Sequence, residues 1–317
     1  MMPNTVFVFG SINVDSSHHV AAIPQPGETV IASDVSTSPG GKGANQAIAA
    51  ASAGAITRMI GAVGDDLDST MVLEELAARG VDTDLIVTLR STTTGRAIVC
   101  VDDSGENSIV VVSGANAHLN ELIAETGLAT ISAGDILVLQ NEVPAAANFA
   151  AARLAKSAGA IVIWNAAPSP MSAAELVHDL DLLIVNEHEL KRVGAVLEVA
   201  HGDEGSSSEL GELLTAVSRK LRTDAICTLG SEGLIFTIGA QHGSVPAPKA
   251  QPRDTTGAGD AFVGYLASQP ALPWVDRLQL AAAAGAITVT QTGASTSIPQ
   301  LEAVESMLAT LTEKRLV

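Results

Sequence analysis

Asp254-Thr255-Thr256-Gly257-Ala258-Gly259-Asp260 sets a carboxylate behind small, glycine-rich backbone, where the apolar run Ala261 to Ala267 begins. That run reads as a helix. Exposed N–H groups at a helix N-terminus, backed by the positive end of the helix dipole, attract the oxygens of a phosphoryl group in flight. Asp260, beside such a cradle of Gly257, Ala258 and Gly259, could take the proton from an attacking hydroxyl. Taken alone, the segment reads equally as an Asp-capped helix after a glycine turn.

Far upstream, Pro39-Gly40-Gly41-Lys42-Gly43-Ala44-Asn45-Gln46 precedes a second apolar run, Ala47 to Ala53. Gly40, Gly41 and Gly43 let backbone approach a small polar ligand, while Lys42 and Asn45 supply donors that suit sugar hydroxyls. The block is not a Walker A loop, because Gly43 rather than Ser or Thr follows Lys42 and no glycine stands five positions before Gly41. A dinucleotide fingerprint also fails. Gly257-Ala258-Gly259 reaches Phe262 where a third glycine is needed, and no strand directly precedes it.

Other polar residues fall at the ends of β-like runs. Asn13 and Asp15 follow the first strand and could pair with adjacent ring hydroxyls, or bond their own backbone in a turn. Glu142 ends another strand and faces the same crevice, or caps the following helix. Asn186 and Glu189 open a helix at a three-residue spacing, which suits either water-mediated placement of Mg²⁺ or a capping box. Thr228-Leu229-Gly230-Ser231-Glu232-Gly233 joins two strands through a glycine turn. His18 and His19 are adjacent in a strand, so they point to opposite faces, and no second His or Cys lies at zinc-ligand spacing.

Buried strands are expected at Val6 to Phe9, Arg58 to Val63, Ile136 to Leu139, Ala160 to Trp164, Leu182 to Val185 and Ala225 to Leu229. Helical patterns lie between them, among them Ser69 to Arg79 closed by Gly80, Pro144 to Ala158 closed by Gly159, and Glu209 to Leu221. The alternation predicts an α/β fold: a mostly parallel sheet with helices on both faces, and ligands beyond the carboxyl ends of the strands. Two segments break the rhythm. Thr29 to Val35 and Gly95 to Val112 read as strands without helices, the second folded at Asp102 to Asn107. Gly202 to Ser208 reads as a polar surface loop. There is no internal repeat and no long linker.

The 317 residues suffice for a large core, which 47% hydrophobic but only 3% aromatic content assigns to Ala, Val, Ile and Leu. A formal net charge of −18 argues against nonspecific affinity for nucleic acid or anionic membrane. Cys100 and Cys227 sit in apolar β-like runs, expected to be buried and to form no disulfide framework. No basic segment precedes an apolar stretch at the N-terminus, and no apolar run reaches the roughly 18 to 20 residues of a membrane span. A cytoplasmic chain is expected.

Seven ordered blocks together resemble the ribokinase family of sugar kinases, also called the PfkB family: Gly10 to Asp15, Pro26 to Thr29, Gly40 to Ala47, Gly61 to Asp66, Asn186 to Glu189, Thr228 to Gly233 and Asp254 to Asp260. The resemblance implies a single ribokinase-like domain over 1–317, a three-layer fold with a small β-sheet lid from about 11–38 and 93–113. It implies ATP-dependent phosphorylation of D-ribose at O5, with Asp260 as base and Gly257 to Asp260 as anion hole. By resemblance the sugar falls to Asn13, Asp15, Gly40, Gly41, Lys42, Gly43, Asn45, Glu142 and Asp260. The nucleotide and Mg²⁺ fall to Asn186, Glu189, Thr228, Gly230, Ser231, Gly233 and Gly259. A K⁺-type ion falls to Asp254, Thr256, Thr288, Gln291, Gly293 and Ser297. Pairing of lids between two copies is implied as well, since open strand edges seek a partner. The sequence departs from the family pattern at Tyr265, where a small residue is usual, and at Ala282, where a polar residue often stands near the adenine. The alternatives are a kinase of the same fold acting on deoxyribose, fructose or adenosine, and a noncatalytic sugar-binding protein. A nicotinamide dehydrogenase lacks its glycine fingerprint.

Overall fold

The computed structural model describes residues 4–103, 106–199 and 207–315. Strand β1 (Thr5–Phe9) leads into β2 (Asn13–Val20) and β3 (Asp34–Gly40), then helix α1 (Lys42–Ser52), β4 (Ile56–Gly64) and α2 (Leu67–Ala78). Short strands β5 (Val81–Asp82) and β6 (Ile86–Leu89) precede the hairpin β7 (Gly95–Asp102) and β8 (Asn107–Val112). Next come α3 (Glu121–Gly127), β9 (Ile136–Leu139), α4 (Ala145–Ser157), β10 (Ile161–Asn165), β11 (Leu182–Asn186), α5 (Glu187–Val196) and α6 (Ser207–Leu221). The chain closes with β12 (Asp224–Thr228), β13 (Leu234–Ile238), β14 (Gln241–Val245), α7 (Ala258–Ser268), α8 (Trp274–Thr288) and α9 (Leu301–Arg315).

The main sheet runs β14-β13-β12-β11-β10-β9-β1-β4-β5, with β6 also on β4. Pairing is parallel from β12 through β5, and only β13 and β14 add antiparallel strands at one edge. Successive side chains of a strand face opposite layers, and β1 shows the result. Val6 and Val8 join a core with α1, α2, α7, α8 and α9, while Phe7 and Phe9 join one with α3, α4, α5 and α6. Both faces of the sheet are therefore covered, which is why its strands read as continuous apolar runs. The order turns at β1, whose neighbours β4 and β9 continue the chain in opposite directions. Such a switch point opens a crevice beyond the carboxyl ends of the strands.

A second sheet, β3-β2-β7-β8, stands apart from the first. Its first strand is not Thr29 to Val35, as the local β propensity of that segment predicts, but Asp34–Gly40. Seven-residue pairing from His19↔Asp34 to Asn13↔Gly40 decides the register, and it carries Pro39 on an edge strand, where a missing N–H is tolerated. Asn13 and Asp15 accordingly lie within β2 rather than in a turn after β1. The fold of the second hairpin falls between Asp102 and Asn107, partly outside the described residues, as does the loop expected at Gly202 to Ser208. Cys227 is buried and Cys100 only half-buried, and both are free. Among the described residues no helix is long and apolar enough to cross a membrane.

Candidate active site

The start of α1 is where distant parts of the chain meet. Its first amides need acceptors from outside the helix. The Lys42 amide donates to Glu142 Oε2 at 3.0 Å, Gly43 to Ser11 Oγ at 3.3 Å and Ala44 to the Ser11 carbonyl at 2.9 Å. Ser11 Oγ in turn donates to Glu142 Oε2 at 2.6 Å. Glu142 thus caps α1 and not the α4 that follows it, whose cap position is Pro144. The glycines before α1 serve the same junction. A Cβ at Gly43 would lie 2.7 Å from the Ser11 nitrogen and one at Gly40 2.1 Å from Asp15 Oδ2. Their bareness is used by the chain itself, so Gly40 and Gly43 do not line the cleft, whereas Gly41, Lys42 and Asn45 do.

Asp260 sits in the first turn of α7, 6% exposed. Asn45 Nδ2 donates to its Oδ2 at 3.0 Å and Gln46 Nε2 to its Oδ1 at 2.9 Å, so consecutive residues of α1 grip both carboxylate oxygens. The approach of the two helices explains the fit: a Cβ on Gly264, one turn beyond Asp260, would stand 2.5 Å from the Gln46 carbonyl and 2.4 Å from Ala49 Cβ. Only a glycine lets α1 and α7 touch there. Tyr265 packs on the opposite side and donates to the Pro299 carbonyl at 2.8 Å, away from the site, and Ala282 packs against the core from α8. Asn45 Oδ1 is buried and meets no donor among the described residues. An unpaired buried acceptor costs about 1–3 kcal/mol, a cost that a ligand hydroxyl would offset.

Gly257 caps α7 at φ 78°, and its Cβ position lies 3.0 Å from the Ala294 backbone. The Ala258 amide turns to Thr255 O at 3.4 Å, whereas those of Gly257, Gly259 and Asp260 meet no acceptor among the described residues. Of the residues Gly257 to Asp260, over which an anion cradle is expected, Ala258 does not line the cleft. Asp254 fastens this loop. Its Oδ1 accepts from the Thr256 amide and hydroxyl at 2.9 and 2.6 Å, and its Oδ2 from the Gly293 amide at 2.9 Å. Burial raises the Asp254 pKa, but the bonds from Thr256 and Gly293 outweigh it and hold the carboxyl below its usual range. Thr256 and Gly293 line the cleft, but Thr288, Gln291 and Ser297 do not. The Thr288 and Ser297 hydroxyls are spent on the Ala284 and Ala294 carbonyls.

On the other side, Asn186 and Glu189 form the full capping box of α5, each side chain bonded to the other's amide at 2.8 Å. Both still line the cleft, as does Thr228, while Gly230 and Ser231 stay exposed outside it and Gly233 packs against Val245. Lys42 faces these acids. Asp260, then Glu142 and Glu189, hold the Lys42 ammonium above its usual pKa against the opposing effect of burial. Burial, then Glu142 and Asp260, push the Asp15 carboxyl up to about 6, and burial raises Glu189. Asn13 points its Oδ1 at Asn116 Nδ2, 2.8 Å away, which leaves its own NH₂ group for a ligand. Asn116 and Ser11, neither evident from the sequence, thus orient residues that were.

The cleft encloses about 1250 Å³, more than the roughly 300–1,000 Å³ of a single small-molecule site, and suits two ligands end to end. One face of the small sheet covers it with Asn13, Asp15, Ser17 and His19, and His18 points away to bond Ser16.

Comparison with known proteins gives a consistent result. A model of the pfkB family carbohydrate kinases matches residues 3–301. Ribokinase of Haemophilus influenzae is 36% identical over 303 residues, covering 94% of this chain and 96% of that protein. Ribokinase of Lactococcus lactis is 34% identical, covering 96% and 97%. Among solved structures, ribokinase of Thermotoga maritima superposes with a TM-score of 0.86 at 31% identity, covering 96% of this chain and 99% of its own. Ribokinase of Arabidopsis thaliana, complexed with ribose and ATP, superposes with a TM-score of 0.84 at 30% identity, covering 97% and 99%.

Proposed function

The chain belongs to the pfkB family of carbohydrate kinases, and on that premise we propose that it transfers the γ-phosphoryl group of ATP to O5 of D-ribose, giving ribose 5-phosphate and ADP. The observation that carries this reading is the buried Asp260 carboxylate, gripped by Asn45 and Gln46 at the start of α7 in the same cleft as Asn13 and Asp15. The sugar lies under the small sheet, a lid over the cleft, with hydroxyls on Asp15, the Asn13 NH₂ group and the orphan Asn45 Oδ1. Asp260 accepts the proton of the primary hydroxyl as its oxygen attacks phosphorus. The amides of Gly257, Gly259 and Asp260, with the α7 dipole, stabilise the charge on the transferring group. Lys42 balances the acids around it. ADP release measured with pure protein across ribose, deoxyribose, fructose and adenosine tests the assignment: strong activity elsewhere with little on ribose replaces the substrate, and no turnover on any of them removes the kinase reading.

Mg²⁺ fits near Asn186 and Glu189, which keep lone pairs outside the capping box, and when bound it neutralises charge on the nucleotide phosphates. A K⁺-type ion fits beside Asp254, whose Oδ2 has one bonded partner; Thr256 and Gly293, which line the cleft with it, would add backbone oxygens, whereas Thr288, Gln291 and Ser297 lie outside the cleft, and the ion would place positive charge beside the cradle. Replacing K⁺ with tetramethylammonium at constant ionic strength and saturating Mg²⁺ is expected to lower turnover severalfold, and Asp254→Ala to abolish the difference. Equal rates in both salts for the parent would refute the ion site. A cytoplasmic site of reaction is consistent with ATP as the proposed phosphoryl donor.

Asp15 makes sugar binding depend on pH. Sugar hydroxyls donate to its carboxylate, and a free-protein pKa of about 6 means that the acceptor is lost as pH falls through 6. Affinity for ribose should then drop by about tenfold per pH unit below that point. Calorimetric titration from pH 5 to 8 would show the slope, and Asp15→Asn should flatten it; a parent with constant affinity excludes Asp15 as the acceptor. Stability runs the opposite way. Because the folded pKa exceeds the ordinary value of 3.8, stability falls as pH rises between about 4 and about 6.

The lid sheet leaves β3 and β8 as open edges, with Val35, Ile109, Val110, Val111 and Val112 each about half exposed. Two copies joined lid to lid would close these edges and bury that surface. Light scattering at micromolar concentration should report a dimer; a monomer there rejects it.

A further inference from the structure

Gln46 is fully buried on the Ala-rich helix α1 and does not line the cleft. An apolar side chain would serve such a position if packing were the requirement. Instead Gln46 belongs to a chain of buried amides with a single direction. Its Nε2 donates to Asp260 Oδ1 at 2.9 Å and to Asn165 Oδ1 at 3.0 Å, while its Oε1 accepts from Gln140 Nε2 at 2.8 Å. Asn165 Nδ2 continues to the Ile184 carbonyl on β11 at 3.2 Å. The direction follows from Asp260. An ionised carboxylate accepts only, so Gln46 must turn its NH₂ group toward it and its Oε1 toward Gln140. Gln140 then turns its own NH₂ group to Gln46 and leaves its Oε1 without a donor among the described residues. The opposite orientation of Gln46 would set an oxygen against the carboxylate. A network that accepts a buried orphan in order to present donors to one carboxylate serves that carboxylate.

We infer that Gln46 is a positioning residue for phosphoryl transfer: it ties the Asp260 carboxylate to strand ends β9 and β10 through Gln140 and Asn165, fixing its aim and giving its Oδ1 a buried donor. This rests on the reading of Asp260 as the base. The charged groups that face Asp260 are Lys42 from α1, Asp15 from β2 and Glu189 from α5, with Glu142 acting on Lys42 and Asp15. None of these touches Gln46 through a hydrogen bond, so a Gln46 substitution leaves them in place.

The test is single-turnover transfer from ATP to ribose, both saturating, between pH 5 and 9, for the parent, Gln46→Met, Gln46→Glu, Gln140→Met and Asp260→Asn. Removing the donor in Gln46→Met is expected to move the acid limb of the rate up by about one pH unit and to lower the plateau, with ribose affinity at pH 8 unchanged within about twofold. Gln46→Glu, isosteric but acidic, should move the limb further, because two adjoining carboxylates cannot both ionise readily. Gln140→Met, one bond further away, should move it in the same direction by less. Should Gln46→Met fail to fold, the other two variants carry the test. A parental acid limb and plateau rate in the Gln46 variants, whatever happens to their melting temperature, overturns the positioning role. If Asp260→Asn transfers at the parental rate, the base assignment itself falls, and the role of Gln46 with it; if Asp260→Asn is inactive and the Gln46 variants are parental, the base stands and only the positioning role is lost.

Discussion

Asp260→Asn is expected to lower turnover by about two to four orders of magnitude while changing ribose affinity little. The substitution keeps the volume of the side chain and removes the basic oxygen. Its effect on the fold can be followed through the two donors that grip the carboxylate. An asparagine there presents one oxygen and one NH₂ group, so one of the two α1 amides must turn from donor to acceptor. Gln46 cannot do so without setting its NH₂ group against that of Gln140. Asn45 can, because its Oδ1 has no protein donor to lose among the described residues, and the NH₂ group that takes its place can donate to the same ribose hydroxyl. The new side chain therefore bonds Gln46 through its oxygen and Asn45 through its nitrogen, and the melting temperature should change by only a few degrees. ADP release and calorimetric ribose titration on the same preparation separate the two effects. Near-parental turnover would remove Asp260 from the role of base, and a large loss of affinity with little loss of rate would make it a binding group instead.

The residues that point to phosphoryl transfer were legible because they are local. Asp260 follows its glycines in the same turn, and Asn186 and Glu189 reveal their helix start by a three-residue spacing. The parallel sheet was legible for a related reason: strands buried on both faces leave unbroken apolar runs such as Ile136 to Leu139. What local pattern misplaced was set by contacts between distant residues. β3 contains Pro39 and Gly40 and has little strand propensity, yet pairing with β2 fixes it over Asp34–Gly40, while the β-rich Thr29 to Ile31 stays outside any strand. Glu142 lies 100 residues from the helix it caps, and Gln46 and Asp260 are separated by 214. Their meeting depends on α1 and α7 touching at Gly264, a glycine that in sequence is only a weak point in a helix. The glycines around Lys42 show the same limit. Their spacing suggests backbone open to a ligand, but at Gly40 and Gly43 the space is filled by Asp15 and Ser11.

Gly259 is the opposite case, and it separates stability from activity most sharply. A Cβ there would meet no protein atom within 4 Å, and the residue lies at the wall of the cleft. Within α7, alanine is favoured over glycine by about 0.5–1 kcal/mol, so Gly259→Ala should melt no lower than the parent and slightly higher if the helix alone decides. The added methyl nevertheless stands beside the amides of Gly259 and Asp260, which meet no acceptor among the described residues. A phosphoryl group drawn to those amides would be displaced, and because its charge is stabilised at close range, turnover should fall by about two orders of magnitude or more, with ribose affinity retained. Gly257→Ala provides the contrast. Its φ of 78° and the Ala294 backbone 3.0 Å from the added Cβ make that change costly to the fold as well. Both variants should lose turnover, and only Gly257→Ala should lose melting temperature. Parental turnover in Gly259→Ala would mean that the transferring group does not pass over the start of α7, and the anion cradle would have to be sought elsewhere along the cleft.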